Sequence, residues 1–263
     1  MQTNIKGLCV KANDYGETGK ILTIISFGSG KVVCSISGIK SPKSKLKMSA
    51  MPLAYGEYTI YSKGKMNKVI SALTEENFFN CWNDFEKYSA SQIILELLDK
   101  VSYDGQNVDR ELRFALSAIS LMNYTSTEPL IFVIWFILKI FTCVGIDFSD
   151  YEINKKTKGL FEAMQDMDAA TIDAVDIPKE NLGNMLNILS MIINNALDIK
   201  LASVGSLNKA KAFEMQIARE MLKNKNVPTN ESDELSDENK DIDKDWKCNS
   251  EKLTILNSQS FNC

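Results

Sequence analysis

The sequence predicts an α+β protein: a five-stranded β-barrel, then an all-α helical domain, then an acidic tail. Three observations carry this reading. Charge is split along the chain: residues 1–72 hold eleven lysines against three acids, a net of +8 within a total of −4. Texture changes near residue 75, where short apolar runs separated by turn residues give way to helical periodicity; eight of the thirteen glycines fall at or before Gly64. From Asn226 the apolar pattern disappears. The expected boundaries are therefore 1–76, 77–225 and 226–263.

Five strands are expected, at 4–12, 20–27, 30–39, 54–62 and 67–74. Each is a short apolar run bounded by turn residues. The Gly28–Gly30 link reads as a tight hairpin between the second and third. Five short strands in about 75 residues suit a small closed barrel, of which the OB-fold is one. The first helix is marked by Phe85, Tyr88, Ile93, Leu97 and Val101, which form one apolar stripe. A second is expected at 107–123 and a third at 129–145, with Pro129 suited to a first turn. A long helix is expected at 179–201 and a last one at 206–224, with Ser206 as N-cap. The stretch 150–177 is less regular.

Leu130 to Ile146 is almost wholly apolar. At seventeen residues, interrupted by Lys139, it sits at the short limit for a membrane span. A helix apolar all round also suits the centre of a helical domain, and this is the reading adopted. Lys139 must then reach the surface or a carboxylate. The tail, VPTNESDELSDENKDIDKD, is too polar to offset its ordering entropy, so disorder or loose attachment is expected, with Trp246 and Leu253–Leu256 as local docking points.

Several functions are excluded or weakened by composition. The chain has no histidine, which removes His-dependent triads and His-ligated metal sites. Its six cysteines (Cys9, Cys34, Cys81, Cys143, Cys248, Cys263) show no C-x-x-C spacing and read as reduced, mostly buried residues. The opening MQTNIKGLCV lacks the apolar run of a signal peptide, so a cytoplasmic protein is expected. Gly16-Glu17-Thr18-Gly19-Lys20 fails as a phosphate loop, because Asp14 stands where the first glycine belongs and Ile21 where Ser or Thr belongs. Asp241, Asp243 and Asp245 have calcium-loop spacing, but Trp246 and Lys252 occupy the glycine and glutamate positions.

The strongest feature is Gly38-Ile39-Lys40-Ser41-Pro42-Lys43-Ser44-Lys45-Leu46-Lys47. If the end of this loop is extended, Lys43, Lys45 and Lys47 point to one side. Ammonium groups so placed neutralise phosphates and release counterions. A merely solvated loop is the competing reading, and the +8 of its surroundings weighs against it. Residues 1–72 contain no arginine. Lysine is a point charge with little bidentate base readout, so backbone binding without sequence preference is expected. Phe27, Tyr55, Tyr58 and Tyr61 are candidates for base stacking, with core packing as the alternative role of each. Tyr55 and Tyr61 would share one strand face and Tyr58 the other.

With these residues in view, a resemblance emerges. Asp14-Tyr15-Gly16-Glu17, Ile21-Leu22-Thr23 and Gly30-Lys31 resemble the opening of the RecO family. The loop from Gly38 to Leu46 is similar to that family's basic loop, Pro52 and Gly56-Glu57 follow at the expected distance, and Leu201-Ala202-Ser203 resembles a weaker signature. The resemblance implies an OB-fold before a helical domain. It implies binding of single- and double-stranded DNA, strand annealing in DNA repair and recombination by the RecFOR pathway, and a nucleoid-associated location. It further implies assembly with RecR, contact with single-strand-binding protein, and indirect help in loading RecA, with no enzymatic activity. DNA-binding residues implied by the matching stretch are Lys20, Lys31, Lys40, Lys43 and Lys45; Lys47 is added from the loop pattern. The sequence departs from the many family members that hold a four-cysteine zinc site in the helical domain: Gly145 to Tyr151, where it would begin, contains no cysteine. No zinc is expected, with packing around Phe148, Tyr151, Leu160 and Phe161 in its place. Two other readings compete: an OB-fold RNA-binding or ribosome-associated module, which the charge split supports equally, and a nucleotide-utilising ligase or nuclease, for which no phosphate loop or metal cluster is found.

Overall fold

A computed structural model describes residues 1–225, except 42, 64 and 65. Pro42, Lys65 and residues 226–263, with Trp246, Cys248, Cys263, Leu253–Leu256 and the Asp241–Asp245 spacing, lie outside the described residues. Five strands come first: β1 (Gln2–Tyr15), β2 (Gly19–Ser26), β3 (Gly30–Ile36), β4 (Tyr55–Lys63) and β5 (Met66–Glu76). They close into a barrel of order β1-β2-β3-β5-β4, with β3 and β5 parallel and every other pair antiparallel. This is the five-stranded Greek-key arrangement of the OB-fold.

Period-two alternation puts Ile5, Cys9, Leu22, Ile24, Cys34, Ile36, Tyr58, Ile60 and Val69 inside. Tyr58 is buried, its hydroxyl donating to the carbonyls of Ser49 and Ala54, while Tyr55 and Tyr61 lie on the opposite face as expected. Burial pushes the thiols of Cys9 and Cys34 up to about 12, so both behave as small hydrophobes. A bulge between Cys9 and Lys11 frees β1 to pair with the loop before β4, where Cys9 exchanges hydrogen bonds with Leu53 and Ala54.

Among the described residues seven α-helices follow: α1 (Phe79–Asn83), α2 (Phe85–Val101), α3 (Asp109–Tyr124), α4 (Pro129–Val144), α5 (Lys155–Asp166), α6 (Lys179–Leu197) and α7 (Ala202–Lys225). Residues Met1–Met215 form one compact unit; from Gln216 a second begins, of which the described part is the end of α7. The apolar run became α4, with Leu130 to Leu138 all buried. Among the described residues no helix is long and apolar enough to cross a membrane. Lys139 is half-buried and reaches a surface cleft, as expected; its ammonium donates to the Gln165 carbonyl at 2.6 Å and lies 5.7 Å from the ring centres of Phe114 and Trp135. The expected stripe on α2 holds for Ile93, Leu97 and Val101, but Phe85 is exposed. Ser206 is not an N-cap. α7 starts four residues earlier because Glu96 of α2 caps it, accepting from the Ala202 and Ser203 amides and the Ser203 hydroxyl. In the irregular stretch, Phe148 and Phe161 meet edge to face at 5.9 Å, with Tyr151 and Leu160 packed on the same core.

The two halves of this unit are pinned together. Leu8, Val10, Ile25 and Leu53 leave the barrel interior and join the helical core. The β2–β3 hairpin rests on the α2–α3 loop and the start of α3: the Gly28 amide donates to Asp109 at 2.8 Å, the Lys31 amide to the Tyr103 carbonyl at 3.1 Å. Gly30 has φ +67°, and a Cβ there would lie 2.5 Å from the Gln106 and Tyr103 carbonyl oxygens.

Candidate nucleic-acid interface

The lysine loop crosses one end of the barrel. It is wound in turns, not extended: Lys47 is αR, and a 3₁₀ turn (Met48–Ala50) follows. The expected row of Lys43, Lys45 and Lys47 on one side of a strand is thus replaced by a compact arch. The arch is nailed down from beneath. Ile39 is buried in the barrel core with Leu46 packed against it, and the Ile39 amide donates to the Thr18 carbonyl at 3.1 Å. With the apolar residues facing inward, the lysines between them are left on the outside. Lys40, Lys43, Lys45 and Lys47 are all exposed. Lys40 lies 3.7 Å from Asp14, on the β1–β2 turn.

The remaining two candidates sit differently. Lys20 shares the inward parity of Leu22 and Ile24; it is half-buried at the barrel end, and its ammonium is 3.5 Å from the Ala50 carbonyl, beneath the arch. Lys31 lies outside this cluster. Its side chain is 25% exposed and pairs with Asp99 of α2 at 3.0 Å, and Lys11 pairs with the same carboxylate. Burial opposes ionisation of Asp99, yet the hydrogen bonds and charges of Lys11 and Lys31 outweigh it, holding its carboxyl below the usual aspartate range. Sequence spacing carried no signal of this pairing, because Asp99 lies on a helix that meets the barrel only in three dimensions. A second feature also escaped sequence reading: a surface cleft of about 490 Å³ where Arg110 and Lys139 are balanced by Asp147 and Asp166.

The stacking candidates separate by burial. Tyr58 is inside the barrel. Phe27 and Tyr55 are packed on the helical core, under Arg113 and Lys6 respectively. Tyr61 is 41% exposed and stands directly across from Lys68. The outer face of β2 and β3, which OB-folds use for oligonucleotides, carries Ile21, Thr23, Val33 and Ser35 and has no ring.

Comparison with known proteins places this geometry. Residues 1–78, the whole barrel, match the family model described as Recombination protein O N terminal. Over those residues the chain is similar to the N-terminal domain of RecO proteins. It is 27% identical over 139 residues to the DNA repair protein RecO of Acetivibrio thermocellus, covering 53% of this chain and 55% of that one. It is 29% identical over 138 residues to the DNA repair protein RecO of Desulfitobacterium hafniense, covering 52% and 50%. For the RecO of Clostridium perfringens the identity is 26% over 139 residues, covering 53% and 56%. The chain spans about half the length of the curated RecO relatives it matches.

Proposed function

We propose that this chain is a recombination mediator in DNA repair that binds single- and double-stranded DNA through its barrel and anneals complementary strands. The observation that carries the proposal is the arch of four exposed lysines on a domain that matches the RecO N-terminal family. An annealer must hold two polyanions close together without choosing a sequence. Point-charge ammonium groups lower phosphate repulsion and do not read bases. In this reading the binding residues are Lys40, Lys43, Lys45 and Lys47, with Lys20 bracing the arch, and Lys31 joins the two halves of the protein. The resemblance extends the proposal to assembly with RecR, contact with single-strand-binding protein, loading of RecA onto coated DNA, and a cytoplasmic, nucleoid-associated location. In this reading it works without catalysis and without zinc: Gly145 to Tyr151, where many family members begin a four-cysteine site, has no cysteine, and Phe148 packs there against Phe161. Elemental analysis finding one equivalent of zinc in the purified protein would overturn that last point.

The test is annealing of labelled complementary oligonucleotides across a salt series. Acceleration that fades with rising salt, and that is lost when Lys40, Lys43, Lys45 and Lys47 are changed together to alanine, supports the proposal. No acceleration at low salt by folded protein refutes it. Preference for RNA over DNA of the same sequence favours the RNA-binding alternative.

A further inference from the structure

The β1–β2 turn carries an aromatic ring that the function above leaves unused. Tyr15 closes β1, opposite Gly19, and is 55% exposed. An aromatic side chain this exposed, at the tip of a hairpin, makes little contribution to the core. The turn itself is held in place: Gly19 is buried, and the Thr18 carbonyl accepts from the Ile39 amide of the lysine arch. Neighbouring side chains on a strand point to opposite faces. Asp14 is turned toward the arch, where it meets Lys40. Tyr15 therefore belongs to the outer side, the side of Ile21, Thr23, Val33 and Ser35. Oligonucleotide-binding OB-folds use that face and this turn.

We propose that Tyr15 is the stacking residue of the interface, taking one unpaired nucleobase of a single strand whose phosphates lie on the lysine arch. This rests on the reading of the barrel as a nucleic-acid binder. In a nucleotide the base and the phosphate leave the sugar in different directions. A strand crossing the rim of the barrel can lay phosphate on the Lys40 side and base on the Tyr15 side. The ring contacts are sequence-tolerant, since every base has a π-face. They are also selective for single strands, because a base in a duplex is already stacked. Tyr15 thus gives the interface a preference that lysines alone cannot supply.

The test measures binding of full-length Tyr15→Ala and Tyr15→Phe proteins to a labelled oligothymidylate and to a hairpin duplex, at several salt concentrations. Tyr15→Ala is expected to bind the oligothymidylate roughly 5- to 100-fold more weakly, with duplex binding within about twofold of the parent. Its salt slope stays unchanged, since no phosphate contact is lost, and Tyr15→Phe retains binding. Equal loss on both ligands, or no loss on the single strand while the four-lysine variant does lose affinity, overturns the role of Tyr15 and leaves the functional proposal standing. Failure of the unaltered protein to bind either ligand overturns the functional proposal itself. Circular dichroism of each variant, matching the parent, excludes misfolding as the cause.

Discussion

Replacing Asp99 with asparagine removes one charge from the joint between barrel and helices while keeping its volume. In the parent, the carboxylate accepts from Lys11 and Lys31 with its side chain only 10% exposed. The variant weakens two charge-assisted hydrogen bonds, each worth about 1.5–3 kcal/mol, because its amide oxygen carries no full charge and its NH2 cannot accept from the second ammonium. Two effects offset part of this. Asparagine escapes the cost of burying a carboxylate, which amounts to a few kcal/mol, in the order of several per ion. The lysines, 49% and 25% exposed, regain hydration. The balance is a destabilisation of about 1–3 kcal/mol at neutral pH. In a unit of this size that lowers the melting temperature by roughly 3–10 °C. Because the folded-state pKa of Asp99 is depressed, its stabilisation is present above the ordinary aspartate pKa and is lost as pH falls through the folded value. Thermal melts of parent and variant, stepped from pH 7 to about pH 3, should therefore show a gap that narrows once pH falls below the ordinary aspartate range. A variant as stable as the parent at pH 7, or a gap that stays constant to pH 3, refutes the reasoning.

Further predictions concern other joints. Gly30→Ala should destabilise the protein by about 2 kcal/mol or more, since the new methyl meets two carbonyl oxygens and a positive φ; denaturant unfolding at constant m-value measures it. Glu96→Ala removes the acceptor for two amides at the start of α7 and should cost about 1–2 kcal/mol, with faster amide exchange confined to that helix start. Phe161→Ala opens a cavity beside Phe148 and should cost about 3–5 kcal/mol, read by calorimetry.

Much of the fold was legible because it rests on local periodicity. Alternation put Tyr55 and Tyr61 on one strand face and Tyr58 on the other, and an apolar run broken only by Lys139 predicted α4 at the centre of the helices. What sequence could not supply were partners brought together by folding. Lys31 looked like any other lysine of a basic module until Asp99, 68 positions on, arrived beside it. Ser206 had the chemistry of a cap, but Glu96 supplies the cap from another helix and moves the start of α7. The arch of lysines was found as a composition, while its shape was misjudged: Ile39 and Leu46 must reach the barrel core, and turns bring them there where an extended strand would not. Tyr15 was passed over as a stacking candidate because only its exposure in the folded hairpin distinguishes it.

The central claim is that the arch at Lys40–Lys47 binds nucleic-acid phosphates. Its most direct test is the salt dependence of single-stranded DNA affinity for the parent and for the variant with Lys40, Lys43, Lys45 and Lys47 changed to alanine. Four lost contacts, at about 0.7 per phosphate, should reduce the slope of log affinity against log salt by roughly 3, with the parent tighter at low salt. Parallel slopes for the two proteins would contradict it.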